Sequence, residues 1–283
     1  MVTVSCLCLR MRVIPSPQGN KTFGRSQLLS ANRHRTFTLF LLLLALAGCG
    51  GAKGTKPDVT KAIARQAKTC AVGSFHRLGS ARLAFAAVVH SRAVVATRPG
   101  GPALARFDKL NVNQVPTIFS IRGARVDAKC RPQAYLVQVP QRPNGVTGWV
   151  RAAQVEVEEV KTRIVVDLSQ KRVTLYRNGK RVLSSTAAIG APATPTPTGS
   201  FYVNQRLIPT DPSGPFGPGA VGISAFSNVL TGWTQGGPIA IHGTNEPWSI
   251  GKAVSNGCIR LPNATLRRVF AQAFSGTPVV IHP

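Results

Sequence analysis

Alternating apolar and polar positions divide the chain into short strands, first from Lys61 to Val157 and then more sharply from Lys161 onward. In the first stretch, apolar runs recur at Ala86–His90, Val94–Thr97, Thr117–Ile121 and Tyr135–Val139. Arg98-Pro99-Gly100-Gly101, Arg122-Gly123 and Arg142-Pro143-Asn144-Gly145 separate them with turn residues. Short strands at such spacing predict a small barrel. In the second stretch, Thr162–Leu168 reads as a strand, and Arg172–Tyr176 and Lys180–Ser184 flank an Asn178-Gly179 pair that favours a hairpin turn. Thr186–Gly190, Ser200–Val203, Ile239–His242 and Val279–Ile281 are further strands. The proline-rich Ala191–Gly199 and the Gly/Pro-rich excursion from Pro209 to Gly222 read as loops, the second of them a candidate substrate-side loop. Asn263 is placed to cap one helix bearing Leu266, Val269, Phe270 and Ala273 at helical spacing, with Gly276 ending it. The acidic stretch from Gln154 to Glu159 reads as the junction. The predicted fold class is mostly β: a small all-β module over 61–157, then a mostly antiparallel β domain over 161–283 with one short helix.

Charge changes this picture little until export is considered. Lys plus Arg number 35 against 9 Asp plus Glu, a net +26 that attracts polyanions without selecting one. No helix-turn-helix, zinc finger or aromatic-interleaved basic run is present, so nucleic acid is not the expected partner. Arg33-His34-Arg35 precedes an apolar run from Phe37 to Ala47, the length of a signal-peptide core and too short to span ~30 Å of bilayer. The run ends in Leu46-Ala47-Gly48-Cys49, which resembles a bacterial lipobox with Cys49 as the lipidated residue. Residues 1–48 are therefore expected to be a signal peptide, with residues 1–32 long for its n-region. Residues 49–60 are expected to be a flexible tether, and the mature protein to be lipid-anchored and extracytoplasmic, facing the cell wall.

Export gives the cysteines meaning. Cys6 and Cys8 fall in the leader and Cys49 takes lipid, which leaves Cys70, Cys130 and Cys258. In an oxidising exterior two can pair, and Cys70–Cys130 is the expected disulfide because both lie in the first module. Cys258 is the odd thiol.

The chemistry concentrates in residues 239–261, IAIHGTNEPWSIGKAVSNGCIRL, where fifteen residues separate His242 from Cys258. An imidazole that takes the thiol proton creates the nucleophilic thiolate, and the imidazolium is then placed to protonate a leaving amine. Gly257 leaves room for a substrate carbonyl, and backbone N–H groups around Cys258 are candidate oxyanion donors. Arg260, two residues on, projects to the same side as Cys258 if the segment is extended; it is placed either to bind a carboxylate or to hold the loop.

Read together, His242-Gly243, Ser255, Gly257-Cys258 and Arg260 resemble the catalytic motif of the L,D-transpeptidases, the YkuD family, over about residues 161–282. Thr196-Pro197-Thr198-Gly199 and Asn245-Glu246-Pro247-Trp248 extend the resemblance loosely. It implies a bacterial wall enzyme, with an actinobacterial source expected, on a β-sandwich catalytic domain. Cys258 is then the nucleophile and His242 the proton donor and acceptor. The backbone carbonyl of Gly243 fixes the imidazole tautomer, and Ser255, Asn256, Gly257 and Arg260 serve substrate or oxyanion. Asn256 departs from the pattern, since many members carry a second His there; a local hydrogen bond is its expected role. The implied reaction is a two-step acyl transfer. Cys258 attacks the diamino-acid carbonyl of a tetrapeptide stem, D-Ala leaves, and a second stem's amine resolves the thioester into a 3→3 cross-link. Water as acceptor gives an L,D-carboxypeptidase. Peptidoglycan stem peptides are the partners, carbapenem-type inhibitors are expected at Cys258, and no metal or organic cofactor is needed. The first module's Thr147-Gly148-Trp149-Val150 resembles the closing strands of bacterial Src-homology-3-like domains.

The blander readings fit less well. Lone cysteines and histidines are usually packing residues, but this pair has spacing and neighbours suited to chemistry. His76, His90 and His282 lack partners at ligand spacing, and no CxxC or HExxH is present. Trp233 and Trp248 suit either a cleft wall or packing under loops. A sortase separates its His and Cys much farther, and a papain-like peptidase reverses their order. A non-catalytic wall-binding lipoprotein remains the alternative from another class.

Overall fold

A computed structural model describes residues 11–13, 58–67 and 69–283. The leader, the lipobox at Cys49 and most of the tether lie outside them, except that Met11–Val13 pairs as a strand with residues 207–209. The last tether residues are ordered differently from expectation: the Asp58 side chain accepts from the Lys61 N–H and starts a helix at Val59–Gln66. An acceptor at that point satisfies one of the free donors of a helix start. Val59 and Ile63 bury the helix against the first sheet, so the first module is not wholly β.

That first sheet is antiparallel, in the order Ala103–Asp108, Arg92–Ala96, Thr147–Arg151, Pro132–Gln138, Ile118–Val126, Ala84–Val89 and Val155–Val160, with Phe75–Arg77 added beside Ile118–Val126. Three strands of this sheet lie outside the sequence reading, among them the short Phe75–Arg77. Ala103–Asp108 is a largely exposed edge, where little apolar alternation is required. The acidic Gln154–Glu159, expected as the junction, instead lies almost wholly in the strand Val155–Val160, which buries Val155 and Val160 and pairs fully with Ala84–Val89. Burial and neighbouring Glu156 push the Glu158 carboxyl up. Cys70 and Cys130 are joined in a disulfide.

The second sheet runs Lys180–Thr186, Arg172–Arg177, Thr162–Asp167, Pro278–His282, Gly199–Pro209, Ala220–Phe226, Pro238–His242 and Ile259–Arg260. Thr162–Asp167 buries every second residue, as its alternation predicts. Asn178 and Gly179 both take positive φ in the hairpin turn, as their pairing predicts. Ala220–Phe226, hidden from the sequence reading inside the Gly/Pro-rich excursion, is buried along nearly its whole length and so shows no alternation. The helix Asn263–Phe270 packs Leu266 and Val269 onto this sheet. The fold is mostly β and sandwich-like.

The two sheets belong to one compact unit and meet through specific bonds. The fully buried Tyr202 donates its hydroxyl to Ile118 O at 3.0 Å, and Gln138 Nε2 donates to Ser200 O at 2.8 Å. Farther along, Arg142 Nη2 donates to both Ser227 O and Gly236 O, closing the neck of the loop before Pro238–His242. Asn144 exchanges two bonds with the Phe226 backbone, as a neighbouring strand would. Tyr202→Phe leaves the Ile118 carbonyl without its donor, and about 1–3 kcal/mol of stability should go with it. Urea unfolding of wild type and variant measures that difference.

Candidate active site

Strand register brings His242, Cys258 and Arg260 together. Pro238–His242 and Ile259–Arg260 are parallel neighbours, with Ile241 beside Ile259 and His242 beside Arg260. Aligned residues on adjacent strands project to one face, and so do residues two apart on one strand. Cys258 therefore lies beside Ala240, on the face that carries His242 and Arg260. The Ala240 N–H and the Arg260 charge both act on the Cys258 thiol, and the same Arg260 charge acts on His242.

Burial dominates both protonation states. It pushes the Cys258 thiol up, against the opposing pull of the Ala240 N–H and Arg260. It lowers His242 to about 4, helped by Arg260 and opposed by the bond to Gly243. Burial thus favours the neutral form of each side chain over its charged form. His242 is buried, its ring 4.9 Å from that of Phe216. Its Nδ1 lies 2.5 Å from Gly243 O, which can only accept, so Nδ1 carries the proton and Nε2 keeps its lone pair. Cys258 is half-buried and is the one free thiol among the described residues.

The turn before Cys258 is braced from within. Ser255 is buried; its hydroxyl donates to Cys258 O at 2.5 Å and accepts from Gly257 N at 3.2 Å. Ser255 thus shapes the loop through one donated and one accepted bond, and its hydroxyl keeps a second acceptor lone pair. Gly257 N–H is likewise engaged and is not a free oxyanion donor. Gly257 sits at φ +102°, where a Cβ would come within 3.0 Å of Ile239 Cδ1. Its carbonyl accepts from Thr196 Oγ1 at 2.9 Å, and Thr196 Oγ1 also accepts from Gly190 N. Asn256 is exposed and its side chain has no hydrogen-bond partner among the described residues, contrary to the local bond expected of it. Gly257→Ala should cost about 1–3 kcal/mol through forced left-handed backbone. A thermal unfolding midpoint several degrees below wild type is the expected readout.

Arg260 holds a loop as well as facing the thiol. Its Nη1 donates to Glu246 Oε2, while its Nε is buried without a partner. Trp248 is largely exposed and carries Lys252 over its ring at 5.0 Å; Trp233 is exposed too, so neither packs under a loop. The sequence reading gave no role to Phe216 or to Glu246 as a partner of Arg260. Glu246 left a signal, being the lone acid between Asp211 and the chain's last residue among many cations. Asn263 does not cap its helix; Pro262 occupies that position and Asn263 Oδ1 instead accepts from Thr244 N at 2.8 Å. Among the described residues no group of three or more His, Cys, Asp or Glu side chains is placed to hold a metal.

Residues 161–281 match the YkuD family model, described as the L,D-transpeptidase catalytic domain. The chain is 39% identical over 119 residues to the YkuD protein of Bacillus subtilis, an alignment spanning 42% of this chain and 65% of that one, just under two thirds. It is 36% identical over 126 residues to the YkuD protein of Bacillus licheniformis, spanning 44% of this chain and 68% of the relative. The solved catalytic domain of an E. faecium L,D-transpeptidase is 25% identical, with 43% of this chain and 96% of that one covered and a TM-score of 0.32. These relatives are bacterial, and they do not bear on the expected actinobacterial source.

Proposed function

The chain belongs to the YkuD family of L,D-transpeptidases, and on that premise we propose that it cross-links peptidoglycan by acyl transfer through Cys258. One observation carries the proposal: parallel register sets the free thiol of Cys258 on the same face as the buried His242, whose unprotonated Nε2 is fixed by the Nδ1 bond to Gly243.

As the thiol attacks the diamino-acid carbonyl of a tetrapeptide stem, His242 Nε2 takes its proton. The forming oxyanion is met by the Cys258 N–H, that of Gly257 being engaged by Ser255. The imidazolium returns the proton to the amine of D-Ala, which departs and leaves a thioester on Cys258. The side-chain amine of a second stem then attacks the thioester, loses its proton to His242 and frees the thiol, giving the 3→3 cross-link. Water in place of the amine gives the L,D-carboxypeptidase reaction. Arg260 keeps the buried Nε for a stem carboxylate, with Glu246 holding its other edge. A β-lactam carbonyl offers the same electrophile, so a carbapenem acylates Cys258 in this account.

Lipid anchoring at Cys49, export and a wall-facing location complete the proposal. They rest on the basic, apolar and lipobox pattern of residues 33–49 and fit the Cys70–Cys130 disulfide, a bond of oxidising compartments. The 61–157 module and the 161–283 catalytic domain are proposed as two domains within one compact unit, joined by the Tyr202 and Gln138 bonds. Incubation with a disaccharide-tetrapeptide tests the reaction: free D-Ala should appear, and the pentapeptide analogue should release none. Equal release from both would sink the stem specificity.

A further inference from the structure

We propose that Asn263 is a positioning residue for His242, acting through the Gly243–Thr244 peptide unit. The inference rests on the acyl-transfer reading of His242 given above.

Asn263 Oδ1 accepts from the Thr244 N–H at 2.8 Å. That N–H and the Gly243 carbonyl belong to one planar, trans peptide, in which they point in opposite directions. Drawing the N–H toward Asn263 therefore turns the carbonyl away from it, and the carbonyl is the group that receives His242 Nδ1 at 2.5 Å. One amide oxygen thus sets the orientation of the acceptor that fixes the imidazole.

The fit around that oxygen is tight. A Cβ on Gly217 would lie 2.4 Å from Asn263 Oδ1, and a Cβ on Gly243 would lie 2.3 Å from it. Glycine on both sides is what admits the amide. Gly217 also has φ +57°, a second reason for glycine there. The residue before it, Phe216, lies against the His242 ring, so the same packing serves the base from two directions.

Asn263 is also tied to the nucleophile's strand. Leu261, three residues after Cys258, donates its N–H to His242 O at 2.8 Å. Two residues later the chain has turned into the helix, and Asn263 directs its side chain back to Thr244 instead of capping. A segment of six residues therefore carries the thiol, a bond to the base's own carbonyl, and the group that sets the base's tautomer.

Without an acceptor at 263 the Thr244 N–H turns to water, the peptide rocks, and Nδ1–H loses its fixed partner. Both neutral tautomers then populate, and the one protonated at Nε2 cannot take the thiol proton. Asn263→Leu should slow acylation by meropenem about tenfold, whereas Asn263→Asp, which keeps the oxygen, should stay within about threefold of wild type.

The deciding measurement is side-chain 15N NMR of the full chain, which has five histidines, with His242 assigned by its loss in His242→Gln. Wild type and Asn263→Asp should show His242 protonated at Nδ1. Asn263→Leu should show a mixture, as should Asn263→Ala if the leucine variant does not fold. An unchanged Nδ1–H tautomer in the folded leucine or alanine variant overturns the proposal, and so does an aspartate variant shifted as far as leucine. The tautomer is read without any reaction, so a wild-type protein that meropenem fails to acylate counts against the acyl-transfer reading alone.

Discussion

Cys258→Ala protein should gain no mass from meropenem, whereas wild type should gain one inhibitor equivalent, located by peptide mapping on residues 253–260. Cys258 is the one thiol of the described residues outside the Cys70–Cys130 bond, and it is half-buried beside Ala240 rather than sealed in a core. Alanine removes the attacking atom without adding volume, and the bonds that shape the turn, from Ser255 to the Cys258 carbonyl and from Thr196 to Gly257 O, use no part of the sulfur. The variant should therefore fold as wild type does, and its loss of acylation reports chemistry. A drop of at least about 10⁴-fold, below detection, is the scale expected when a covalent nucleophile is removed.

His242→Gln should slow acylation about 10²–10⁴-fold at neutral pH, the range for losing a positioned general base. Its pH dependence distinguishes a base from a packing residue. Burial lowers His242 to about 4, so wild type should keep its base form down to about pH 5 and lose activity as the pH falls through about 4. Protonation there removes the Nε2 lone pair. Burial also pushes the Cys258 thiol up, so little thiolate forms at neutrality without help. The glutamine variant should consequently regain rate as the pH climbs toward the thiol's own titration, while wild type is already near its plateau. Stopped acylation assays across pH 4–10 read both arms. A glutamine variant with the wild-type profile would remove His242 from the chemistry.

Much of the second sheet was legible because its strands obey simple rules. Thr162–Asp167 alternates, Asn178-Gly179 makes a hairpin turn, and the strand ending in His242 is apolar up to its last residue. What escaped was set by tertiary context. Ala220–Phe226 is buried on both faces and carries a glycine, so neither period nor propensity marks it. Val155–Val160 hides its pairing behind three glutamates that an otherwise basic surface tolerates. The pair His242 and Cys258 stands out by spacing, neighbours and family motif, but their shared face depends on parallel pairing between distant segments. The supporting residues were harder still. The Ser255 hydroxyl spans its own turn, and Asn263, placed by the sequence to cap a helix, instead accepts from Thr244 N–H. Short polar side chains have several local uses, and only coordinates say which is taken.

The central claim, that Cys258 performs wall cross-linking by acyl transfer, is tested most directly by muropeptide analysis. Purified wild type and Cys258→Ala protein would be incubated with tetrapeptide-bearing muropeptides and the dimers identified by mass spectrometry. Wild type should form 3→3 dimers with release of D-Ala, and Cys258→Ala should form none. Identical 3→3 dimers from both proteins would contradict the account.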